Sequence, residues 1–428
     1  KDLRIGDASR RGLSQGAGRT RDLVRPRKAQ ARLVLPLFRL EHDDLHQRFS
    51  MPNDTQRPRL ALRQARAMRF SCVSQAGEQE RGAMDGYKVR VGVNGYGVIG
   101  KRIADAVAAQ EDMELAGVAD IVADWRIQPA RRRGFAVFAA AADAGAAMRA
   151  QGVDIAGALA DLVAQSDVII DCTPKKIAAA NIEIYRGAGK KFIVQGGEKH
   201  ATTGHSFVAA SSYASALDRQ STRVVSCNTT SIVRTLGALK RAGLLRRARG
   251  TLLRRATDPW ESHLGGVMNT LVPEASIPSH QGPDAQSVDP DLDVVTMAVK
   301  TPETLAHVHY WAVQLTRPAG KQEVLEAFAV CPRLLPIRMS EGLSAINAVK
   351  EWTADAGRLR GDLYEVAFWE DMLTVEGDEL FYAYMVDNQA IVIPETIDAI
   401  RALTGVEREA DASMRKTDRA LGIPLRIG

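Results

Sequence analysis

Residues Tyr87 to Asn94 read YKVRVGVN and run without a break into Gly95-Tyr96-Gly97-Val98-Ile99-Gly100. Val89, Val91 and Val93 recur at every second position, the period of a strand with one buried face. The alanine-rich stretch Lys101 to Gln110 that follows favours a helix. A G-x-G-x-x-G alone is weak. Here it lies between strand and helix, where its glycines let backbone approach a pyrophosphate and the helix N-terminus supplies partial positive charge. Gly95, Gly97, Val98 and Ile99 are therefore assigned to cofactor binding. The expected fold class is α/β, with a Rossmann-type dinucleotide-binding domain.

Outward from this turn, Glu114 to Ala119 reads as a second strand ending at Asp120, 25 positions after Gly95. A carboxylate there accepts the ribose hydroxyls and repels a 2′-phosphate, so Asp120 favours NAD over NADP, with dual use open. Arg126 and the run Arg131-Arg132-Arg133 are the competing phosphate partners, although such a run more often forms a solvated helix end. Ser166 to Cys172 and Lys191 to Gln195 read as further strands of a parallel sheet. The loops after them place Thr173, Pro174 and Gly197 at the border of the cofactor crevice, with Lys175 and Lys176 solvated.

The whole chain of 428 residues is 45% hydrophobic, 25% charged and 5% aromatic, which excludes a disordered or collagen-like polypeptide. Its apolar runs fall short of the roughly 18 residues that cross a bilayer, so a cytoplasmic protein with no membrane partner is expected. Of 57 Lys+Arg and 51 Asp+Glu, residues 1–83 hold 18 and 9, which leaves 39 and 42 for the remainder. The basic excess lies entirely in the leader, so the body lacks the footprint of a nucleic-acid binder. The leader holds no sustained period, and Pro36 interrupts its one apolar patch, Leu33 to Leu40. It reads as a disordered or non-native basic extension, with orderly pattern beginning at Met84.

Four cysteines, at 72, 172, 227 and 331, show no C-x-x-C spacing, which argues against a disulfide framework or a zinc ribbon. Cys227 is the conspicuous one. Arg223 to Ser226 reads as a strand, Ser231 to Ala242 as a helix, and Cys227-Asn228-Thr229-Thr230 lies between them. At a helix start the unpaired N–H groups stabilise a thiolate, the usual device for making a nucleophile. A buried cysteine acting as a small hydrophobe is the competing reading, and it suits Cys172 and Cys331 better.

From Met84 onward the chain resembles the archaeal-type (class II) phosphorylating glyceraldehyde-3-phosphate dehydrogenases. The resemblance rests on an ordered series: VNGYGVIGKR from Val93, QGGEK from Gln195, SCNTT from Ser226, LLRRATD from Leu252, TLVP from Thr270, PSHQG from Pro278, TMAVKTPETLAHVH from Thr296 and VIPETIDAIRA from Val392. It covers residues 85–425. It implies that Cys227 is the nucleophile and His307 its base, with Ser226 and Asn228 lining the substrate. It further implies Arg254, His280 and Gln281 at the phosphate positions, and Arg255, Gly197 and Gln389 at the cofactor. Leu305 to Val313 has strand character, so His307 and His309 share a face; a metal pair lacks further ligands, and His309 is expected to be structural.

The substrates implied are glyceraldehyde 3-phosphate and inorganic phosphate, with NAD or NADP as cofactor, no metal, and a homotetrameric assembly. Two departures stand out: the family often has a basic residue where Asp120 stands, and commonly a second histidine where Gln281 stands. The expected domains are 84–226 with 389–428 for the nucleotide, and 227–388 for catalysis on a mixed or antiparallel sheet. The alternatives are a related semialdehyde or sugar-phosphate dehydrogenase and, from another class, a nucleotide-sensing or RNA-binding protein with a vestigial fold.

Overall fold

The computed structural model describes residues 86–174, 177–195, 197–259 and 271–425. The expectations for the leader, Lys175, Lys176 and Thr270 lie outside the described residues. The opening motif folds as read: strand β1 (Val89–Asn94) buries Val89, Val91 and Val93 and turns at Gly95 into helix α1 (Val98–Ala108). Seven more strands follow: β2 (Met113–Asp120), β3 (Val137–Ala139), β4 (Gly157–Ala158), β5 (Val168–Asp171), β6 (Lys191–Val194), β7 (Ser206–Phe207) and β8 (Ser221–Val224). They form one sheet in the order β4-β3-β2-β1-β5-β6-β8-β7, with every pair parallel. The order reverses between β1 and β5, which opens a crevice at their carboxyl ends, the ligand position of doubly wound sheets.

After β8 the chain enters helix α2 (Cys227–Arg241) and then a second sheet. This comprises β9 (Leu245–Arg255), β10 (Val272–Pro273), β11 (Val294–Thr301), β12 (His307–Leu315), β13 (Leu334–Ile337), β14 (Val366–Trp369), β15 (Thr374–Glu376) and β16 (Glu379–Val386). The order is β10-β11-β9-β12-β16-β14-β13, with β15 on β16. It is mixed: β9 with β11 and β13 with β14 are parallel, the rest antiparallel. Alternation along β12 buries His307, His309, Trp311, Val313 and Leu315, so this face of the strand meets the core.

The chain then returns to the first sheet through helix α3 (Val392–Thr404), buried along almost its whole length, and helix α4 (Ala410–Leu421). A buried charge network fastens α3 to α2. Arg234 of α2 pairs with Glu395 at 2.6 Å, and Arg333 contacts Glu395 at 3.1 Å, Asp398 at 2.6 Å and Asp418 at 2.9 Å. Charges taken out of water in this way persist only when all are paired; deleting one partner costs about 3–5 kcal/mol. The network thus holds the helix that begins with Cys227.

Candidate active site

The three glycines of the turn meet three different constraints. Gly95 has φ +93°, and a Cβ there would stand 2.8 Å from the Cys172 carbonyl carbon. At Gly100 a Cβ would reach 1.9 Å from the Gly95 carbonyl oxygen, so helix and turn pack only through glycine. Nothing lies within 4 Å of a Cβ built on Gly97, which leaves open space over the start of α1. That is the cradle a pyrophosphate requires, and the residues present fit a dinucleotide.

Val98 and Ile99 from α1 line a cavity of about 1060 Å³ together with Gly197, Ser226, Cys227, Asn228, Arg254, Arg255, His280, His307 and Gln389. Most of the residues singled out in the sequence therefore meet in one place. Ser226 caps α2, its Oγ accepting the Thr229 N–H at 3.3 Å, so the helix begins at Cys227 itself rather than at Ser231. Against expectation, the helix start does not leave a ready thiolate. Burial pushes the Cys227 thiol up to about 11, outweighing the nearby Arg255 and Arg254 guanidinium groups and the Asn228 N–H, which pull it down.

His307 is buried and held well below the ordinary histidine range, chiefly by burial and then by His309 and the two arginines. Its Nδ1 accepts the Arg255 N–H at 3.0 Å, so the neutral ring carries its proton on Nε2. Nε2 has no hydrogen-bond partner among the described residues. His309 is structural, as expected. Its ring bridges the Tyr384 hydroxyl (2.9 Å) and Asn228 Oδ1 (2.8 Å), and burial holds it neutral, down to about 3. Asn228 therefore lies on the wall with its carbonyl already engaged.

A polar chain crosses between the sheets. Arg102 of α1 pairs with Asp362 at 2.8 Å and donates to Gln389 Oε1 at 3.0 Å; Gln389 Nε2 donates to Asp258, which pairs with Arg255 at 2.6 Å. Gln389 is thus braced from both sides. Arg254 pairs with Glu274 at 3.0 Å, and Glu274 also accepts from His280 at 2.6 Å. Lys199 and Lys300, which sequence reasoning did not assign, line the same cavity, and among the described residues neither has a carboxylate within ion-pair distance. Both lie in quoted motifs, QGGEK and TMAVKTPETL, and a cation within a motif otherwise made of turn and strand residues was the available signal.

Four expectations are corrected. Thr173 and Pro174 do not line the cavity; the Thr173 hydroxyl and amide are turned back onto Asp171. Gln281 is fully buried and absent from the cavity wall, and its side-chain amide has no partner among the described residues. Asp120 also lies off the cavity wall and accepts backbone N–H groups from Tyr96 (2.6 Å), Ile121 (2.7 Å) and Val122 (3.1 Å). An ionised carboxylate offers about four lone-pair positions, so it has room for about one ribose hydroxyl, not two. The fourth is the ready thiolate at Cys227, described above.

The family comparisons agree with this geometry. Residues 89–229 match the family of the dihydrodipicolinate reductase N-terminus, and residues 226–349 match the glyceraldehyde 3-phosphate dehydrogenase C-terminal domain. Glyceraldehyde-3-phosphate dehydrogenase of Pyrobaculum calidifontis is 44% identical over 336 residues, covering 97% of that protein and 78% of this chain. The Methanobrevibacter smithii and Thermococcus kodakarensis proteins of the same name are 40% and 41% identical, each covered over 99% of its length. The chain belongs to the glyceraldehyde-3-phosphate dehydrogenase family. As a dehydrogenase of this family it uses a nicotinamide dinucleotide. No helix among the described residues is long and apolar enough to cross a membrane.

Proposed function

We propose that this chain oxidises glyceraldehyde 3-phosphate through a thioester on Cys227 and releases the acyl group to inorganic phosphate, giving 1,3-bisphosphoglycerate. One observation carries the reading: the first residue of α2, the imidazole of β12 and the helix start behind the glycine turn open onto a single cavity. The Cys227 S–H bond breaks as the sulfur bonds to the aldehyde carbon, and its proton passes to the aldehyde oxygen, giving a hemithioacetal hydroxyl. The Arg255 amide on Nδ1 aims the His307 Nε2–H at the aldehyde oxygen, where it stabilises the developing oxyanion. For His307 to take the hydroxyl proton as a base, the ring must hold its proton on Nδ1 instead and release the Arg255 amide. A nicotinamide dinucleotide held by the glycine turn, Val98 and Ile99 would supply the hydride acceptor. The carbon–sulfur bond breaks when a phosphate oxygen attacks the thioester, and the departing Cys227 sulfur takes up the proton that His307 held.

Arg254, His280 and Lys300 supply cationic or donor groups for the phosphates, with Ser226 and Asn228 bordering the substrate. Arg255, Gly197 and Gln389 border the cofactor. In this reading residues 84–226 with 389–428 form the nucleotide domain and 227–388 the catalytic domain. A homotetramer is proposed because one face of the second sheet presents Met297 on β11, Tyr310 on β12 and Phe381 on β16 to solvent, with Thr251 of β9 between the first two, apolar surface of the kind that copies bury. Phosphate- and arsenate-dependent reduction of NAD and NADP with a panel of aldehydes tests the function. Glyceraldehyde 3-phosphate should be turned over best; no turnover of it would overturn the reading in favour of a related semialdehyde or sugar-phosphate substrate.

A further inference from the structure

One stretch of the cavity wall takes no part in the chemistry above. Arg223 of β8 and Asp284, on the short helix Gln281–Gln286, pair there at 2.7 Å, and the arginine side chain is 3% exposed. Arg223 Nη2 also donates to the Ser206 and Ser287 hydroxyl oxygens, at 2.7 and 3.1 Å, while Nη1 donates to the Glu198 carbonyl at 2.9 Å. The pair therefore joins the QGGEK loop to the helix that His280 precedes.

The same carboxylate governs the start of α2. Asp284 Oδ2 accepts the Thr229 hydroxyl at 2.7 Å, and Thr229 Oγ1 lies 2.9 Å from Ser226 Oγ. A carboxylate paired with a guanidinium only accepts, so Thr229 gives it its one hydroxyl proton, and the contact between Ser226 and Thr229 must use the proton of Ser226. Each hydroxyl in the row is thereby oriented from Asp284. Ser226 Oγ is left to accept the Thr229 N–H at 3.3 Å, which closes the cap on the turn that carries Cys227 and the Asn228 N–H. Thr229 is fully buried and off the cavity wall, so it acts through Ser226 and not on a ligand.

We infer that Asp284 and Thr229 are positioning residues for Cys227: oriented by Arg223, they lock the Ser226 cap and keep the Asn228 amide on the sulfur. This rests on Cys227 as the nucleophile. The sulfur also feels the charges of Arg255 and Arg254 on β9 and of Asp387 after β16, and it shares its cavity with His307 of β12. Of these influences, only the Asn228 N–H is set by the geometry of the cap. A cap that loosens lets that donor swing off the sulfur, and the thiolate loses a hydrogen bond.

Iodoacetamide is small and neutral, so its rate with each cysteine of the full chain, followed by mass spectrometry of peptides, reads the sulfur without substrate or cofactor. Thr229→Val removes the hydroxyl and leaves the pair of Arg223 and Asp284 intact. It should slow alkylation of Cys227 about ten-fold, as expected for loss of a hydrogen bond to a charged group, with Cys172 and Cys331 unchanged. Thr229→Ser keeps the hydroxyl and should restore the rate to within about two-fold. Asp284→Asn leaves one acceptor where two donors arrive, and it should slow Cys227 as well. An unchanged Cys227 rate in Thr229→Val or Asp284→Asn overturns the proposal, as does equal slowing in Thr229→Ser and Thr229→Val. So does acceleration of all three cysteines together, which is what a merely loosened fold gives. If the alkylation order holds but the wild type does not turn over glyceraldehyde 3-phosphate, the substrate reading falls and this one stands.

Discussion

Two clusters of cations in this molecule differ in how they are neutralised. Beneath α3, Arg234 and Arg333 are almost wholly excluded from water, and each lies against carboxylates of Glu395, Asp398 or Asp418. Around the cavity, Lys199 and Lys300 have no acid in reach among the described residues, and Arg254 shares Glu274 with His280. A charge buried with full compensation holds structure, since it has nothing left to offer a ligand. A charge left partly uncompensated on a cavity wall is available for an anion, and here the cavity also holds a sulfur and an imidazole.

The contrast breaks first at the sulfur. Cys227→Ser is expected to lower kcat by about 10⁴-fold or more, because the nucleophile and every later step depend on it; steady-state assay and an unchanged circular dichroism spectrum check this together. Next in size is the paired cluster: Arg333→Ala should cost about 3–5 kcal/mol of stability, read from denaturant midpoints, by taking the guanidinium from Asp398 and Asp418 and leaving Glu395 to Arg234 alone. Arg254→Ala should do the reverse. It should leave the midpoint within about 0.5 kcal/mol but reduce kcat/KM for the phosphorylated aldehyde by about 10- to 100-fold, the range of one hydrogen bond to a charged group.

A further expected effect concerns pH. Burial holds His205 down to about 4, His309 down to about 3, and His307 well below its ordinary value. Unfolded histidines take up protons below about pH 6.5, whereas these folded ones do not, so the unfolded chain binds more protons and stability falls as pH drops below that point. Each contributes about 1.4 kcal/mol per pH unit until its folded pKa is reached. Midpoints at pH 7 and pH 5 that coincide would contradict this.

The parts of the site carried by local pattern were legible from the sequence. The strand, glycine turn and helix at Val89 to Ala108 need only neighbours in the chain, and the two-residue spacing of His307 and His309 fixes a shared face. Cys227 at a helix start was readable for the same reason. The unread parts depend on partners distant in sequence. Asp120 is turned onto the Tyr96 amide, and Arg234 finds Glu395 across 161 positions; no period marks either contact. The short strands β3, β4 and β7 have two or three residues each and exist because a neighbouring strand offers pairing. Gln281 was placed by its motif, and its complete burial could not be read from residue type. The raised Cys227 thiol follows from burial, which a helix-start argument omits.

The most direct measurement is mass spectrometry of peptides after mixing the enzyme with glyceraldehyde 3-phosphate and oxidised cofactor in the absence of phosphate. The expected result is an acyl group on the peptide carrying Cys227, lost on adding phosphate and absent from the Cys227→Ser variant. An adduct on Cys172 or Cys331 instead, or full turnover by the variant with no adduct anywhere, would contradict the placement of the chemistry at the start of α2.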